Sequence, residues 1–205
     1  MKIFYYCFIG LFVITLSSCK KSDNPILSTE LPKEIIPLSL GNSWTTYISY
    51  YDSLSNVQTV DTLTRTVESE LSENDTKWFS IKFLMQTDEF SVVYRNAQDG
   101  FIRNLDKYLI YKYPASKYDT FPDPNGENDI VVRSIDTTIV TPAGTFSCYC
   151  FYIPRGQIIG GKPGIYYLDF VAPGIGFIKV EHYVQWSPGS YSIYSKQELI
   201  KYDIK

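Results

Sequence analysis

The segment TPAGTFSCYCFYI, residues 141–153, joins a turn signal directly to an uninterrupted apolar run. Pro142 suits the second position of a turn, and Gly144 supplies the left-handed residue that closes a hairpin. Residues 146–153 are apolar at both alternating positions, which is typical of a central strand covered on both faces. The segment therefore predicts a β-hairpin whose second strand lies in the middle of a sheet.

Strand patterns continue on both sides of this hairpin. Residues 79–85 and 178–186 alternate between apolar and more polar side chains, while 165–171 is apolar at both alternating positions. Turn residues occur at 96–100 and at Pro173–Gly174, and 104–114 fits either a helix or a strand. Short strands separated by such turns predict a mainly β fold, with a curved antiparallel sheet forming an open or half-wrapped barrel and little helix.

The chain begins with an uncharged apolar stretch, IFYYCFIGLFVITL, at residues 3–16. It is shorter than the roughly 20 residues that an ordinary membrane-spanning helix needs. One preceding lysine, a short apolar core and small residues after it are typical of a secretory signal peptide. We therefore expect residues 1–18 to be a signal peptide.

The four residues that follow the apolar core, Leu16-Ser17-Ser18-Cys19, resemble a bacterial lipobox. The resemblance implies that the Cys19 thiol receives a diacylglyceryl group and that cleavage makes Cys19 the first mature residue. Acyl chains such as palmitate would then hold the protein to a membrane, because two or more chains anchor a protein stably. We expect an envelope protein, in the outer membrane because lysines rather than an acidic residue follow Cys19.

The segment after the lipidation site is interrupted by three prolines and shows no sustained apolar period. We expect residues 19–37 to be a tether and 38–205 to be a single β domain. The formal net charge of −3 is small and mixed along the chain, which argues against a nucleic-acid partner. Cys148 and Cys150 would lie about 6.5 Å apart on one strand face, so buried free thiols are favoured over a disulfide.

Three segments together resemble uncharacterised secreted bacterial lipoproteins. They are IPLSLGNSWTTYISYY (36–51), TPAGTFSCYCFYI (141–153) and APGIGFIKVEHY (172–183). The resemblance implies a half-wrapped antiparallel barrel similar to the Lol-like lipoprotein-carrier folds, which present a concave apolar face to acyl chains. The shared motifs are turns and strand entries, so the resemblance implies a fold and no activity.

Two motifs were tested as ligand sites. Residues 156–162 match G-x-x-x-x-G-K, but Pro163 stands where a phosphate loop needs Ser or Thr, and a strand pattern follows instead of a helix. A loop between strands explains the glycines. The acidic stretch 119–129 fails the EF-hand register, so it predicts a polar surface loop, with an irregular calcium site as the alternative.

No catalytic, metal-ligating or cofactor-binding residue is assigned. His182 is the only histidine, and no nucleophile is marked near it in the sequence, so we expect a core-edge histidine. The favoured hypothesis is a non-enzymatic envelope protein that binds a lipid-like, hydrophobic ligand, a glycan or an envelope protein. A carrier predicts an apolar cavity open to solvent. A glycan module predicts exposed, coplanar aromatics, for which the candidates are Tyr111, Tyr113 and Tyr118.

The sequence also allows two other functional classes. A hydrolase with an unrecognised site would need His182 or Asp169 to line a pocket with a strongly perturbed pKa. A structural assembly subunit would instead show an exposed apolar patch or an unpaired edge strand.

Overall fold

The computed structural model describes residues 33–104, 107–123, 128–159, 162–187 and 190–205. The expected signal peptide and Cys19 lie outside the described residues. Leu31–Lys205 forms one compact unit. All the buried core residues described below belong to it, so this unit contains a hydrophobic core of its own and can fold alone.

The described elements are all strands, which confirms the mainly β prediction. No helix that could span a membrane is present in the described part of the chain. The strands are β1 Ser43–Tyr51, β2 Val57–Glu73, β3 Thr76–Leu84, β4 Glu89–Ala97, β5 Gly100–Arg103, β6 Tyr108–Lys112, β7 Thr120–Pro122, β8 Asp129–Thr141, β9 Gly144–Ile159, β10 Lys162–Ala172, β11 Gly176–Ser187 and β12 Ser190–Asp203.

The strands form one twelve-stranded sheet in the order β6-β5-β4-β3-β2-β1-β12-β11-β10-β9-β8-β7. Neighbouring strands are antiparallel, and β1 pairs with β12, so the two ends of the unit meet inside the sheet. The edge strands β6 and β7 contact each other. The predicted curved antiparallel sheet is confirmed, and it closes nearly completely into a barrel.

The predicted hairpin joins β8 to β9, with Thr141 opposite Gly144 and a positive φ of 141° at Gly144. The turn predicted at 96–100 joins β4 to β5, and that at Pro173–Gly174 joins β10 to β11. The ambiguous segment 104–114 contains strand β6. Its tyrosines and isoleucine favour a pleated, half-buried surface, and that preference prevails over the helical spacing of its leucines.

The glycine-rich stretch 156–163 lies in the hairpin between β9 and β10, where Lys162 pairs with Ile159. Strand follows it, as the sequence predicts. Cys148 and Cys150 are free and buried, also as predicted. Burial raises the pKa of the Cys148 thiol to about 12 and that of Cys150 to about 11.

One end of the barrel is filled by the segment that precedes β1. Ile35 and Ile36 are 1% and 0% exposed. The Asn96 side chain donates to the Ile36 carbonyl at 2.8 Å, and the Gly174 amide donates to the Glu34 carbonyl at 2.9 Å. The last residues of the expected tether, 33–37, are thus part of the folded core, while 19–32 lie outside the described residues.

Trp44 completes this end. It is 0% exposed, its Nε1 donates to the Ile175 carbonyl at 2.6 Å, and its ring meets the Phe177 ring edge-on at 5.4 Å. We call this part of the barrel, with residues 33–44 and the turn at 173–175, the closed end.

Candidate functional site: the open mouth of the barrel

The opposite end of the barrel interior is accessible to solvent. Strand alternation and ring contacts identify six inward-facing aromatic side chains there. None of them is fully buried, and Phe90 and Tyr194 are 48% and 38% exposed. We call this group the mouth: Tyr50, Phe83, Phe90, Tyr167, His182 and Tyr194.

The mouth side chains contact one another across neighbouring strands. Tyr167 on β10 lies opposite His182 on β11, and their rings stack at 4.4 Å. Phe83 and Phe90 stack at 4.9 Å on β3 and β4. The wall of the mouth is therefore aromatic on two sides of the barrel.

Arg65 lies inside the barrel below these rings, at an inward position of β2. It is 6% exposed, and its Nη2 donates to Gln197 Oε1 at 2.8 Å, while Nη1 is 3.4 Å from Thr46 Oγ1. Its guanidinium carbon is 4.9 Å from the centre of the Phe177 ring and 5.7 Å from that of Phe83. No described carboxylate forms an ion pair with it. Burial lowers the Arg65 pKa.

Asp169 and Tyr111 form the second polar part of the interior. The Tyr111 hydroxyl donates to Asp169 Oδ2 at 2.7 Å, and Asp169 is 9% exposed. Burial raises the pKa of Asp169 to about 6, although Tyr111, Arg65 and Arg155 act in the opposite direction. Burial also raises the Tyr111 pKa well above its usual value, so its hydroxyl stays protonated. We call Arg65, Tyr111 and Asp169 the polar floor.

The space beside Arg65 is small. A gap lined by Thr46, Arg65, Phe177 and Gln197, among others, has a volume of about 10 Å³. That is about the room needed by one water molecule. A larger ligand would therefore have to lie in the mouth and reach the polar floor with one end only.

His182 offers a further polar atom to the mouth. Its Nε2 is buried without a hydrogen-bond partner, and burial lowers its pKa, so the ring is neutral near pH 7. Asp169 bonds to Tyr111 rather than to His182. Among the described residues, His182 therefore lacks a hydrogen-bonded carboxylate of the kind that orients a catalytic imidazole.

Two carboxylates of the acidic stretch 119–129 form ion pairs. Arg155 Nη1 lies 2.6 Å from Oδ2 of Asp123, which is 1% exposed, and Lys112 Nζ lies 2.9 Å from Asp119 Oδ2. Residues 124–127 lie outside the described residues. Within the ranges that are described, no group of three or more His, Cys, Asp or Glu residues is placed to hold a metal ion.

The three tyrosines predicted as ligand contacts lie in different environments. Tyr111 and Tyr113 are 5% and 4% exposed, whereas Tyr118 is 70% exposed. They do not form one exposed aromatic surface, because the first two pack on Phe151 and Tyr149 inside the barrel. A role in ligand binding stays a prediction for each of them.

Arg65 is not among the site residues predicted from the sequence. A signal was present, because Arg65 stands between Leu63 and Val67 in the alternating pattern of β2, at a position whose neighbours are both buried. A charged residue in an inward register is an informative exception to the apolar pattern.

No protein-family model and no curated protein matches the chain. Among solved structures it is similar to a "putative exported protein with YmcC-like fold" from Bacteroides fragilis, at 14% identity and a TM-score of 0.55, covering 82% of this chain and 98% of that one. It is also similar to a "putative lipoprotein" from Parabacteroides distasonis, at 14% identity and a TM-score of 0.52, covering 85% of this chain and 100% of that one. At this identity the likeness shows that the chain shares their fold.

Proposed function

We propose that the protein is a non-enzymatic, lipid-anchored envelope protein whose barrel mouth binds an anionic amphiphile, such as a fatty acid. The observation that carries the proposal is Arg65, a buried cation that forms no direct ion pair with a described carboxylate, although the nearby Asp169 interacts with it electrostatically. The lipobox-like segment at Cys19 supports the anchor. The two structural neighbours, described as an exported protein and a lipoprotein, support an envelope location.

A buried charge without a directly bonded counter-ion is costly, because burial removes its hydration. The guanidinium group has five N–H donors, and Arg65 uses its described bonds on two neutral side-chain oxygens. A carboxylate or phosphate group of a ligand would supply both the missing charge and strong acceptors. The polar floor is therefore suited to an anionic head group.

The mouth is suited to the apolar part of the same ligand. Its aromatic rings are partly exposed and face inward, so an acyl chain lying against them would remove apolar surface from water. Asp169 would not prevent binding, because its raised pKa allows it to take up a proton when a second anion approaches.

The direct test is calorimetric titration of the fragment Leu31–Lys205 with dodecanoate and with dodecanol, which lacks the charge. We expect dodecanoate to bind at least tenfold more tightly than the alcohol, and Arg65→Gln to remove that difference. Arg133→Gln is the matched control, because Arg133 stacks on an aromatic ring, that of Tyr152 at 4.0 Å, outside the barrel. Equal affinity for both ligands, no binding of dodecanoate, or equal loss in both variants would overturn the proposal.

The anchor has a separate test. The intact mass of the protein purified from cells should show loss of residues 1–18 and addition of acyl chains at Cys19, and Cys19→Ala should remove the added mass. Fractionation of the envelope should then place the protein in the outer membrane, where the lysines after Cys19 favour it. An unprocessed N-terminus without added mass would contradict the anchor without affecting the binding test.

A further inference from the structure

A second pocket lies on the outer face of the barrel, away from the mouth. It has a volume of about 250 Å³, and its lining includes Trp78 on β3, Arg95 on β4 and Ile102 on β5. Strand alternation directs these residues outward, since Phe79, Tyr94 and Phe101 beside them face the core. Trp78 and Ile102 are nevertheless only 5% and 8% exposed. They form an apolar floor for the pocket.

Charged and polar side chains surround this floor. Glu73 and Asn74 come from the turn between β2 and β3, and Lys107 comes from the segment before β6. The Arg95 guanidinium carbon lies 5.0 Å from the centre of the Trp78 ring. No ion pair to Glu73, Arg95 or Lys107 occurs among the residues that the structure describes. Among the described lining residues, two cations and one anion give a net charge of +1.

Arg95 provides an independent indication of a missing ligand. Its Nε is buried without a hydrogen-bond partner. Buried donors in folded proteins are almost always bonded, so one that is unpaired beside an open pocket calls for an acceptor from outside the chain. The acceptor must reach a site where the Trp78 ring already covers one side of the guanidinium group.

We propose that this pocket binds a sugar residue that carries a carboxylate, of the uronic acid class. The carboxylate would accept hydrogen bonds from Arg95 and Lys107. Glu73 would accept hydrogen bonds from the ring hydroxyls, and the Asn74 amide would donate to them. The apolar face of the sugar ring would lie on Trp78 and Ile102. A simple inorganic anion fits less well, because it would offer no ring hydroxyls to Glu73 and Asn74 and no apolar face to the floor.

The test uses galacturonate, with galactose as its uncharged counterpart, titrated into the fragment Leu31–Lys205 and followed by tryptophan fluorescence and calorimetry. We expect galacturonate to bind at least fivefold more tightly than galactose. Lys107→Gln, at an exposed position, should reduce that preference several-fold, and Arg95→Gln should abolish galacturonate binding. Trp78→Phe should remove the fluorescence change while calorimetry still reports binding.

Lys77→Gln is the matched control, since Lys77 is exposed beside Trp78 but does not line the pocket. It should leave the affinity for galacturonate unchanged, and so should Arg65→Gln, which separates this pocket from the mouth. Failure of both sugars to bind, equal binding of both, or equal losses in Lys77→Gln and Lys107→Gln would each overturn the inference.

Discussion

The two ends of the barrel interior both carry large apolar side chains. One end buries them, and the other leaves them partly exposed to water. At the closed end Trp44, Ile35 and Ile36 are 0%, 1% and 0% exposed. At the mouth Phe90 and Tyr194 remain 48% and 38% exposed, although they too face inward. The difference is the segment 33–42, which fills one end and has no described counterpart at the other.

The comparison separates the end of the barrel that contributes most to stability from the end that we propose binds a ligand. The closed end buries large apolar side chains and satisfies its backbone groups, which is how a core gains stability. The mouth leaves aromatic surface in contact with water and places a charged floor beneath it. Such an arrangement contributes less to folding and leaves contacts free for a ligand.

The largest expected effect is the removal of a closed-end side chain. Trp44→Ala should lower the free energy of unfolding by about 4 kcal/mol, because it creates a cavity and leaves the Ile175 carbonyl without its donor. Tyr194→Ala at the mouth should cost about 1 kcal/mol, since this ring is already 38% exposed. Urea unfolding of both variants measures the difference, and equal costs would contradict the division of the interior into two ends.

The polar floor should make stability depend on pH. Burial raises the Asp169 pKa from 3.8 to about 6, so the folded state holds this proton more tightly than the unfolded chain does. The resulting stability is complete below about pH 4 and is lost as pH rises to about 6, an effect on the order of 3 kcal/mol.

Asp169→Asn should remove that decline. The measurement is the difference in unfolding free energy between the wild type and the variant at several pH values, which cancels the other titrating groups. A difference that stays constant between pH 4 and 7 would show that Asp169 is not held in a desolvated site.

Two glycines allow the packing of the closed end to be tested by steric contacts. Gly176 has a φ of +103°, and a Cβ there would lie 3.0 Å from Nε1 of Trp44, whereas Gly156 has a φ of +71° and open space around its Cβ position. Gly156→Ala should cost about 1 kcal/mol from the backbone alone. Gly176→Ala should cost about 2 kcal/mol more because of the clash with Trp44. Thermal unfolding with calorimetric enthalpies measures the loss of unfolding free energy in each variant. Similar losses in the two variants would mean that the closed end is loosely packed.

The smallest stability effect is expected at the edge of the mouth. Phe90→Ser should change the unfolding free energy by less than about 1 kcal/mol, because Phe90 is half exposed, yet it should weaken dodecanoate binding several-fold by removing wall surface. Leu84→Ser is the control, at a position 46% exposed on the outer face. Affinity that falls equally in both variants would count against the mouth as the binding surface.

Local sequence signals predicted most of the fold. The hairpin at 141–144, the turns at 96–100 and 173–174, and the strands through 79–85 and 178–186 follow from turn chemistry and period-two alternation. These features depend on neighbours close in the chain. The filling of one barrel end by 33–37 depends on contacts with distant residues, among them Asn96 and Gly174. No local pattern reveals these contacts, and the prolines of 19–37 favour a tether instead.

The candidate site could be predicted only in part. Asp169 and His182 were identified as groups to examine, and both have shifted pKa values inside the barrel. Tyr111 was expected at an exposed surface and is buried, because strand alternation does not reveal which face is inside until the sheet closes. The polar floor brings together Arg65 from β2, Asp169 from β10 and Tyr111 from β6. No local sequence pattern indicates that these three strands lie close together.

The most direct test of an open, anion-binding mouth is nuclear magnetic resonance of Leu31–Lys205 with stearate that carries a nitroxide on its chain. The nitroxide should broaden the amide signals of Tyr167 and Tyr194, leave those of Trp44 and Val171 sharp, and lose this selectivity when Arg65 is replaced by Gln. Broadening that is uniform over the barrel, that centres on the closed end, or that persists unchanged in the Arg65→Gln variant would contradict the account.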